Sequence, residues 1–273
     1  MENFRLPIRE QNSNKGTFGK VLNIAGSKKY IGAAYLSSYS ILKIGAGYVA
    51  LASEKSILDS VSRLLPEAVF YTYKEGYKNI DKYNVVLIGC GLGQTFWSKF
   101  IFKKFINKLQ NYDIPVLIDA DGLNILSGLK VNLPKNTIIT PHPVEASRLL
   151  NMNVDMVLAD TINAAKKLSY KYNCVTVLKT HRTVVCGNNG EIYINEHGNS
   201  ALAKAGTGDV LAGIVSGLLA QNMLPFDAAK LGVYLHSRAG ELASKELSEY
   251  SVLASELVRY LPQAILELIN QCE

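Results

Sequence analysis

The sequence predicts an α/β fold in which a mostly parallel central sheet carries helices on both faces. Short apolar runs of strand length alternate with helix-length segments along nearly the whole chain. The strand segments are apolar throughout, which is typical of strands that are buried on both faces. The 273 residues suffice for one large domain and contain no internal repeat or Pro/Ser-rich linker. We therefore expect a single domain over residues 1–273.

Each predicted strand is a short apolar run that ends at glycine or at a polar residue. The runs are residues 20–25, 48–52, 69–73, 85–88, 116–119, 137–140 and 176–179. Two further runs, 182–186 and 192–195, flank the turn Gly187-Asn188-Asn189-Gly190. This arrangement predicts a hairpin at the edge of the sheet.

The predicted helices carry apolar residues at helical spacing, and several are bounded by capping residues or glycine. They cover residues 31–44, about 53–65, 95–111, 144–150, 161–172, a helix that begins near Asp209, 225–247 and 252–269. In a parallel sheet with right-handed crossovers, ligands bind outside the carboxyl ends of the strands. The loops that follow the strands are therefore the places to look for a site.

Composition narrows the possible functions. The excess of 29 basic over 23 acidic residues gives a net charge of +6, which favours anionic ligands weakly. No dense Lys/Arg stripe is present, so a nucleic-acid partner is not expected. The small apolar residues of 31–53 are interrupted by serines and Lys43, so we expect no membrane span. None of the 4 cysteines has a metal-binding or CxxC spacing, and a reducing cytoplasm fits best.

The stretch Gly206-Thr207-Gly208-Asp209 runs directly into a helix with one apolar face, residues 210–219. Glycines let the backbone turn sharply and approach a ligand closely. The first N–H groups of a helix lack partners and carry the positive end of its dipole, so this turn predicts an anion site. Asp209 is either a favourable partner of that dipole or a base held beside a phosphoryl group.

Five polar or glycine-rich loops each follow a predicted strand, so they should meet at one rim of the sheet. They are Gly26, Gly91–Gly93, Asp119–Asn124, Pro141-His142-Pro143 and Lys179–Thr183. One polar loop can be an ordinary surface turn, but five such loops at one rim are more typical of a binding site.

The loop from Asp119 to Asn124 places two carboxylates and an amide at a strand end. It is either an Asx turn with Asp121 as a helix cap, or a polar wall that orients substrate or metal-bound water. Asp119 fits both interpretations, whereas Asp121 fits the cap better.

Three further positions also allow two interpretations. Glu145 is favoured in the first turn of a helix by the dipole, but it could also hold waters around Mg²⁺. His142, between two prolines in a rigid loop, is favoured as a ligand contact. The basic segment Lys179–Thr183 is a solvated turn or a contact for nucleotide phosphates and ribose. His236 is expected to pack within a helix.

Several motifs together carry a resemblance to a known family. In this order along the chain stand Gly91-Leu92-Gly93, Asp119-Ala120-Asp121-Gly122-Leu123-Asn124, Thr140-Pro141-His142-Pro143-x-Glu145 and Ala205-Gly206-Thr207-Gly208-Asp209. The set resembles the ADP- or ATP-dependent NAD(P)H-hydrate dehydratases of the ribokinase-like superfamily, over nearly the whole chain. The glycine loop departs from the family pattern at Cys90, where many members have proline.

The resemblance implies a ribokinase-like three-layer sandwich and a repair reaction. NADH or NADPH that has added water would be phosphorylated on its ring hydroxyl by ADP or ATP with Mg²⁺, and phosphate would then leave. It also implies a homotetramer in the cytoplasm. With no room for an N-terminal epimerase domain, the chain looks like the stand-alone form, working with a separate hydrate epimerase.

The resemblance also implies roles for residues. Asp209 would be the catalytic base, with the backbone of Gly206, Thr207 and Gly208 holding the phosphoryl charge. The expected hydrate-binding residues are Ala34, Gly91, Gly93, Asp119, Asn124, His142 and Asp209. The expected nucleotide-binding residues are Lys179, Thr180, His181, Arg182, Thr183 and Gly208. Apart from the resemblance, the place of Glu145 in the first turn of a helix makes it the candidate for contacting the metal through water.

Two alternatives remain beside this interpretation. One is a vitamin kinase of the same superfamily, of the hydroxymethylpyrimidine or hydroxyethylthiazole type, which the dehydratase-specific loops disfavour. The other is a non-catalytic nucleotide-binding protein that kept the fold. The presence of Asp209 with both glycines disfavours that second alternative.

Overall fold

The structure, a computed structural model, describes residues 4–272. One sheet contains the strands β1 Lys20–Ile24, β2 Tyr48–Ser53, β3 Val69–Thr72, β4 Val85–Ile88, β5 Val116–Ile118, β6 Thr137–Ile139, β7 Val175–Leu178, β8 Val184–Cys186 and β9 Ile192–Ile194. Their order is β3-β2-β1-β4-β5-β6-β7-β8-β9. Neighbours from β3 to β7 are parallel, whereas β8 and β9 form an antiparallel edge hairpin. The predicted fold class and edge hairpin are confirmed.

The helices over the described residues are α1 Ile31–Lys43, α2 Lys55–Val61, α3 Tyr73–Lys78, α4 Phe96–Leu109, α5 Asp121–Ser127, α6 Pro143–Leu150, α7 Val154–Ala159, α8 Thr161–Tyr172, α9 Thr207–Ala220, α10 Pro225–Leu247 and α11 Ala254–Cys272. Two 3₁₀ turns lie at Ile80–Lys82 and Ser200–Leu202. The prediction missed α3, α5 and α7, each of which is two turns or less. Helices this short carry too few residues to show a helical period. A cap marks the start of α3, where Thr72 and Glu75 form a capping box.

Two apolar cores lie on opposite faces of the sheet and make three layers. One face packs against α1, α2, α9, α10 and α11, and the other against α4, α5, α6 and α8. Helix α9 approaches α1 closely through glycine. A Cβ at Gly213 would lie 2.4 Å from the carbonyl oxygen of Ser37, and one at Gly217 would lie 2.2 Å from Ile44 Cγ2. These contacts pack α9 directly against α1 on the same face of the sheet.

The strand order reverses between β1 and β4, because β2 and β3 extend the sheet on one side and β5 to β7 on the other. Such a switch point opens a crevice at the carboxyl ends of the two strands, where ligands bind in open α/β sheets. None of the helices in residues 4–272 is both long and apolar enough to cross a membrane.

Candidate active site

The loops that follow the parallel strands meet at one rim, as the sequence predicts. At the switch point, the Gly26 N–H donates to the carbonyl oxygen of Cys90 at 2.9 Å. Two strands along, the Thr140 hydroxyl donates to Asp119 Oδ1 at 2.6 Å. Neighbouring loops are therefore tied to each other directly, which fixes the positions of the polar groups that they carry.

The turn before α9 has the geometry of an anion site. Gly206 has a left-handed backbone, with φ of 92°, which glycine adopts without strain. The Thr207 hydroxyl closes the turn by donating to the carbonyl oxygens of Leu202 and Lys204, at 2.8 and 2.9 Å. The N–H groups of Gly208 and Asp209 find no acceptor among the described residues. These two donors are thus free to bind an anion.

Asp209 lies partly buried at the start of α9, where its surroundings change its pKa. Burial, followed by the nearby charge of Asp119, raises the pKa of Asp209 to about 7, although a hydrogen bond with Cys90 and the charge of Lys179 oppose the rise. A carboxylate that titrates near neutrality can accept a proton from a hydroxyl and release it again. Burial and Asp119 therefore make Asp209 able to exchange a proton near neutral pH, whereas a partner of the helix dipole would simply stay ionised.

Asp119 is the buried centre of a polar network. Its Oδ1 accepts from the Lys179 ammonium at 2.7 Å, besides Thr140, and its Oδ2 lies 3.8 Å from the Cys90 thiol. Burial alone would lower the pKa of Lys179, but the Asp119 and Glu145 carboxylates outweigh burial and raise it. The charged ammonium lies beside Gly208, whose Cβ, if present, would be 3.4 Å from Nζ. Asp119 therefore holds polar side chains from three other loops together, and its contact with substrate or metal-bound water stays a prediction.

His142 and Glu145 form the capping box of α6. Glu145 Oε2 accepts from the His142 N–H at 2.9 Å, and His142 Nδ1 accepts from the N–H groups of Val144 and Glu145 at 3.2 and 3.4 Å. Burial, first among several causes, raises the pKa of Glu145 to about 7 and also lowers the pKa of His142. The neutral imidazole then carries its proton on Nε2, which lies 3.5 Å from Glu145 Oε1.

Two sets of residues are candidates for holding Mg²⁺. Ligand atoms of Cys90, Asp119 and Asp209 lie within 4.8 Å of one another, but a thiol is a poor Mg²⁺ ligand, and Lys179 already neutralises Asp119. Glu145 fits better, because its Oε1 takes no part in the capping hydrogen bond and has only the neutral His142 ring beside it, with Nε2 at 3.5 Å. Mg²⁺ keeps several waters and binds largely through substrate phosphates, so a water-mediated contact suits this carboxylate.

A cavity of about 620 Å³ lies beside the anion turn, with Gly208 in its lining. Predicted residues that line it are His142, Lys179, Thr180, His181, Thr183, Thr207 and Gly208. The sequence did not reveal another part of the lining, which includes Leu202, Leu211, Val233, His236 and Ser237. These residues come mainly from α9 and α10, where helical spacing signals only burial. Lys179 and Gly208 lie together in one part of the lining, and Leu202 and Ser237 lie together in another. We call the part around Leu202 and Val233 the apolar end of the cavity.

Two residues near this cavity differ from their expected roles. The Arg182 guanidinium pairs with exposed Glu196 and does not line the cavity, so its nucleotide contact stays a prediction. His236 is buried in α10, as expected, and its Nε2 also lies 3.0 Å from the Thr207 carbonyl oxygen. Burial lowers the pKa of His236 to about 4. The neutral ring therefore donates to Thr207 and braces the anion turn.

The glycine loop after β4 is held by Asp121, which is not the helix cap that the sequence suggested. Asp121 is the first residue of α5, after Ala120, and its Oδ2 accepts from the Gly93 N–H at 2.8 Å. The Asn124 amide oxygen accepts from Arg148 at 2.6 Å. Asp121 thus shapes the loop, while the proposed hydrate contact of Asn124 remains untested.

Ala34 and Gly91 are both buried where the loops at the switch point pack together. Ala34 is fully buried in α1, with its Cβ 2.9 Å from where a Cβ on Gly26 would lie. Gly91 has φ of 60°, and a Cβ there would lie 2.6 Å from the Cβ of Tyr30. Both residues allow the loops at the switch point to pack closely, and their contact with the hydrate stays a prediction.

The fold is a sandwich of one sheet between two layers of helices, with the anion turn and the cavity at the carboxyl ends of its strands. These features define a ribokinase-like α/β protein. Within that class, a model of the NAD(P)H-hydrate dehydratase family matches residues 21–263. The chain therefore belongs to the NAD(P)H-hydrate dehydratase family.

Individual relatives agree with this membership. The chain is 39% identical to the ADP-dependent (S)-NAD(P)H-hydrate dehydratase of Neisseria meningitidis, over 86% of this chain and 80% of the relative. It is 33% identical to the bifunctional NAD(P)H-hydrate repair enzyme of Thermofilum pendens over 98% of its length, but spans only 54% of that relative. The chain thus spans about half the length of the bifunctional relatives that it matches.

A solved structure supports the fold. The crystal structure of the Bacillus subtilis ADP/ATP-dependent NAD(P)H-hydrate dehydratase, co-crystallised with ATP and Mg²⁺, has a TM-score of 0.86 and 32% identity to this chain. The match covers 96% of this chain and 94% of the crystallised one. The two chains therefore share their architecture almost from end to end.

Proposed function

We propose that this protein restores NADH or NADPH from their hydrates at the expense of a nucleotide. The ring hydroxyl would be phosphorylated by ADP or ATP, with ADP favoured by the relatives' names, and phosphate would then be eliminated. The observation that carries the proposal is Asp209, a base with a pKa of about 7 beside two free backbone donors. Family membership disfavours the vitamin-kinase alternative.

Asp209 would take the proton of the ring hydroxyl while the hydroxyl oxygen attacks the terminal phosphorus of the nucleotide. Near neutral pH about half of the Asp209 side chains are ionised, because the pKa is about 7. The protonated carboxyl then passes its proton on after transfer. A general base of this kind typically contributes about 10²–10⁴-fold to the rate.

The anion turn would hold the phosphoryl group during transfer. The N–H groups of Gly208 and Asp209 supply preorganised donors, and the charged Lys179 lies beside them. Donors that are fixed before the reaction stabilise developing charge without reorganising. Asp119 and Thr140 keep Lys179 in place, so we propose a positioning role for Thr140 and, for Asp119, a positioning role in addition to its hydrate contact.

Mg²⁺ would neutralise part of the charge on the nucleotide phosphates. Among the described residues, Glu145 is the carboxylate that we propose to contact its waters. Because burial raises the pKa of Glu145 to about 7, this contact would weaken as the pH falls below neutrality.

The second half of the reaction needs little from the protein. The hydroxyl-bearing carbon of the hydrate is next to the ring nitrogen, so the nitrogen lone pair can expel phosphate once the ester has formed. Loss of a proton from the neighbouring carbon then restores the double bond. The products are NADH or NADPH, inorganic phosphate and the nucleotide shortened by one phosphate.

We propose that the hydrate lies along the switch point and the nucleotide fills the cavity. Supporting this division, Asp121 holds Gly93 at the switch point, and Thr180, His181 and Thr183 line the cavity. His142, the proposed hydrate contact, also lines the cavity and would lie where the two ligands meet. The hydrate contacts of Ala34, Gly91, Asp119 and Asn124, and the nucleotide contact of Arg182, belong to the same proposal.

We also propose one dehydratase domain that works in the cytoplasm as a homotetramer. A separate hydrate epimerase would supply the correct epimer, since the bifunctional relatives are named as repair enzymes with two activities. Gel filtration with light scattering would test the tetramer directly, and a monomer at micromolar concentration would contradict it.

The experiment that tests the proposal uses wild-type protein and Asp209→Asn, which keeps the size of the side chain but removes the base. Each is incubated with NADH hydrate, Mg²⁺ and ADP or ATP while the reduced-nicotinamide absorbance is recorded. We expect the absorbance to return with wild type only, while both proteins bind nucleotide in calorimetry. No recovery with wild type, or equal recovery with Asp209→Asn, would contradict the proposed function or the proposed base, respectively.

A further inference from the structure

A buried polar pair lies in the wall of the cavity, next to its apolar end. Asn195 follows β9 and is 1% exposed, and Ser237 lies on α10 and is 3% exposed. A Cβ at Gly198 would be 2.9 Å from Leu202 Cδ1 and 3.4 Å from Ser237 Oγ. Ser237 and Leu202 therefore lie side by side, and both line the cavity.

The hydrogen bonds of Asn195 fix the orientation of its amide. Its Nδ2 donates to the carbonyl oxygen of His197 at 2.8 Å, and this oxygen can only accept. The second hydrogen on Nδ2 points to Ser237 Oγ at 2.9 Å, while Oδ1 accepts from the Tyr193 hydroxyl at 3.0 Å. Ser237 Oγ is therefore an acceptor in this pair, and the pair does not use its hydrogen.

The Ser237 hydroxyl hydrogen has no acceptor among the described residues. Ser244 on the same helix shows the usual alternative, because its hydroxyl donates to the Gly240 carbonyl one turn earlier, at 2.7 Å. Ser237 makes no such bond to Val233, which lies one turn earlier and also lines the cavity. A buried donor without a partner costs free energy, and a ligand in the cavity would remove that cost.

The chemistry of the cavity indicates which part of a nucleotide meets Ser237. Lys179 and Gly208 form the end that suits phosphates, whereas Leu202, Leu211 and Val233 are apolar. A flat aromatic base buries well against apolar side chains, and a few placed polar groups fix its orientation. Ring nitrogens of a purine are acceptors, which match the free hydrogen of Ser237.

We infer that Ser237 is a specificity residue of the nucleotide site and donates a hydrogen bond to a ring nitrogen of the purine base. Asn195 is the positioning residue, because it holds Ser237 Oγ as an acceptor and so directs its hydrogen into the cavity. This inference rests on the proposed nucleotide-dependent function and adds to it the group that reads the base.

The test compares wild type, Ser237→Ala and the control Ser40→Ala. Ser40 is a buried helical serine on α1 whose hydroxyl already donates to the Leu36 carbonyl. Calorimetry measures the Kd for ADP and for its 1-deaza, 3-deaza and 7-deaza analogues, in each of which one ring nitrogen is replaced by carbon. We expect Ser237→Ala to weaken ADP binding by about three- to tenfold, the usual worth of one hydrogen bond, and Ser40→Ala to leave the Kd unchanged.

The analogues decide whether the lost bond is to the base. If a ring nitrogen is the acceptor, wild type and Ser237→Ala should have the same Kd for the one analogue that lacks this nitrogen. For the other two analogues, the Kd of Ser237→Ala should still be higher than that of wild type. An unchanged Kd for ADP in Ser237→Ala, or a penalty that persists with all three analogues, would overturn the inference while leaving the proposed function intact. Failure of wild type to bind either ADP or ATP would overturn both.

Discussion

Replacing Asp209 by asparagine should stabilise the protein while it abolishes turnover. Burial raises the pKa of this carboxyl from an ordinary value of 3.8 to about 7. The folded protein therefore keeps the proton at pH values where the unfolded chain has lost it. Above pH 7, folding must bury a charge, and the asparagine variant avoids that cost.

The size of the effect follows from the two pKa values. One pKa unit corresponds to about 1.4 kcal/mol, so a rise from 3.8 to about 7 makes the cost about 4 kcal/mol above pH 7. The cost declines as the pH falls through the folded pKa, to about 2 kcal/mol at pH 5, and vanishes below the unfolded pKa. The stability gap between variant and wild type should follow the same course.

Urea unfolding of both proteins at pH 8 and pH 5 measures this gap. We expect Asp209→Asn to be the more stable protein at pH 8 and its advantage to shrink by about half at pH 5. As a control, Asp155→Asn changes an exposed carboxylate in the first turn of α7 and should alter stability by less than about 0.5 kcal/mol. A variant less stable than wild type at pH 8, or a gap that does not depend on pH, would refute the buried-base account.

Three other substitutions test neighbouring parts of the site. Gly208→Val should weaken nucleotide binding and phosphoryl transfer together, because its branched side chain would crowd Lys179 Nζ and the phosphate position; unchanged affinity in calorimetry would contradict the anion site. Cys90→Ala removes a hydrogen bond that lowers the pKa of Asp209, so the acid limb of kcat/KM should move to higher pH, whereas Cys90→Ser should not move it upward. His236→Phe removes the donor to the anion turn and should raise the Kd for ADP by about three- to tenfold without a change in the KM for hydrate; an equal rise in both would indicate general damage.

The sequence predicted the elements and loops that depend on local chemistry. The apolar strands, the edge hairpin and the long helices follow from hydrophobic periodicity, and the Gly206 turn follows from the special backbone that glycine allows. The convergence of loops at one rim could be predicted because parallel strands all end on the same edge of a sheet. Asp119 and Lys179 were both singled out in this way, although their direct contact was not.

Features that depend on tertiary contact could not be predicted in the same way. Val233 and Ser237 line the cavity from α10, but helical spacing says only that they are buried. Asp121 looked like a helix cap because the strained backbone of Ala120, with φ of 50°, leaves no signal in the sequence. The elevated pKa of Asp209 arises from burial and from Asp119, 90 positions earlier in the chain, so it exists only in the folded protein.

In the proposed reaction, phosphorylation is a step toward dehydration and not the end of the reaction. Inorganic phosphate and NADH can be measured in the same sample as the protein acts on NADH hydrate with ADP and Mg²⁺. We expect one phosphate to be released for each NADH restored, with no stable phosphorylated intermediate, and little activity on hydroxymethylpyrimidine, hydroxyethylthiazole or pentoses. Accumulation of a stable phosphorylated vitamin or sugar, with no NADH recovered from the hydrate, would contradict the account.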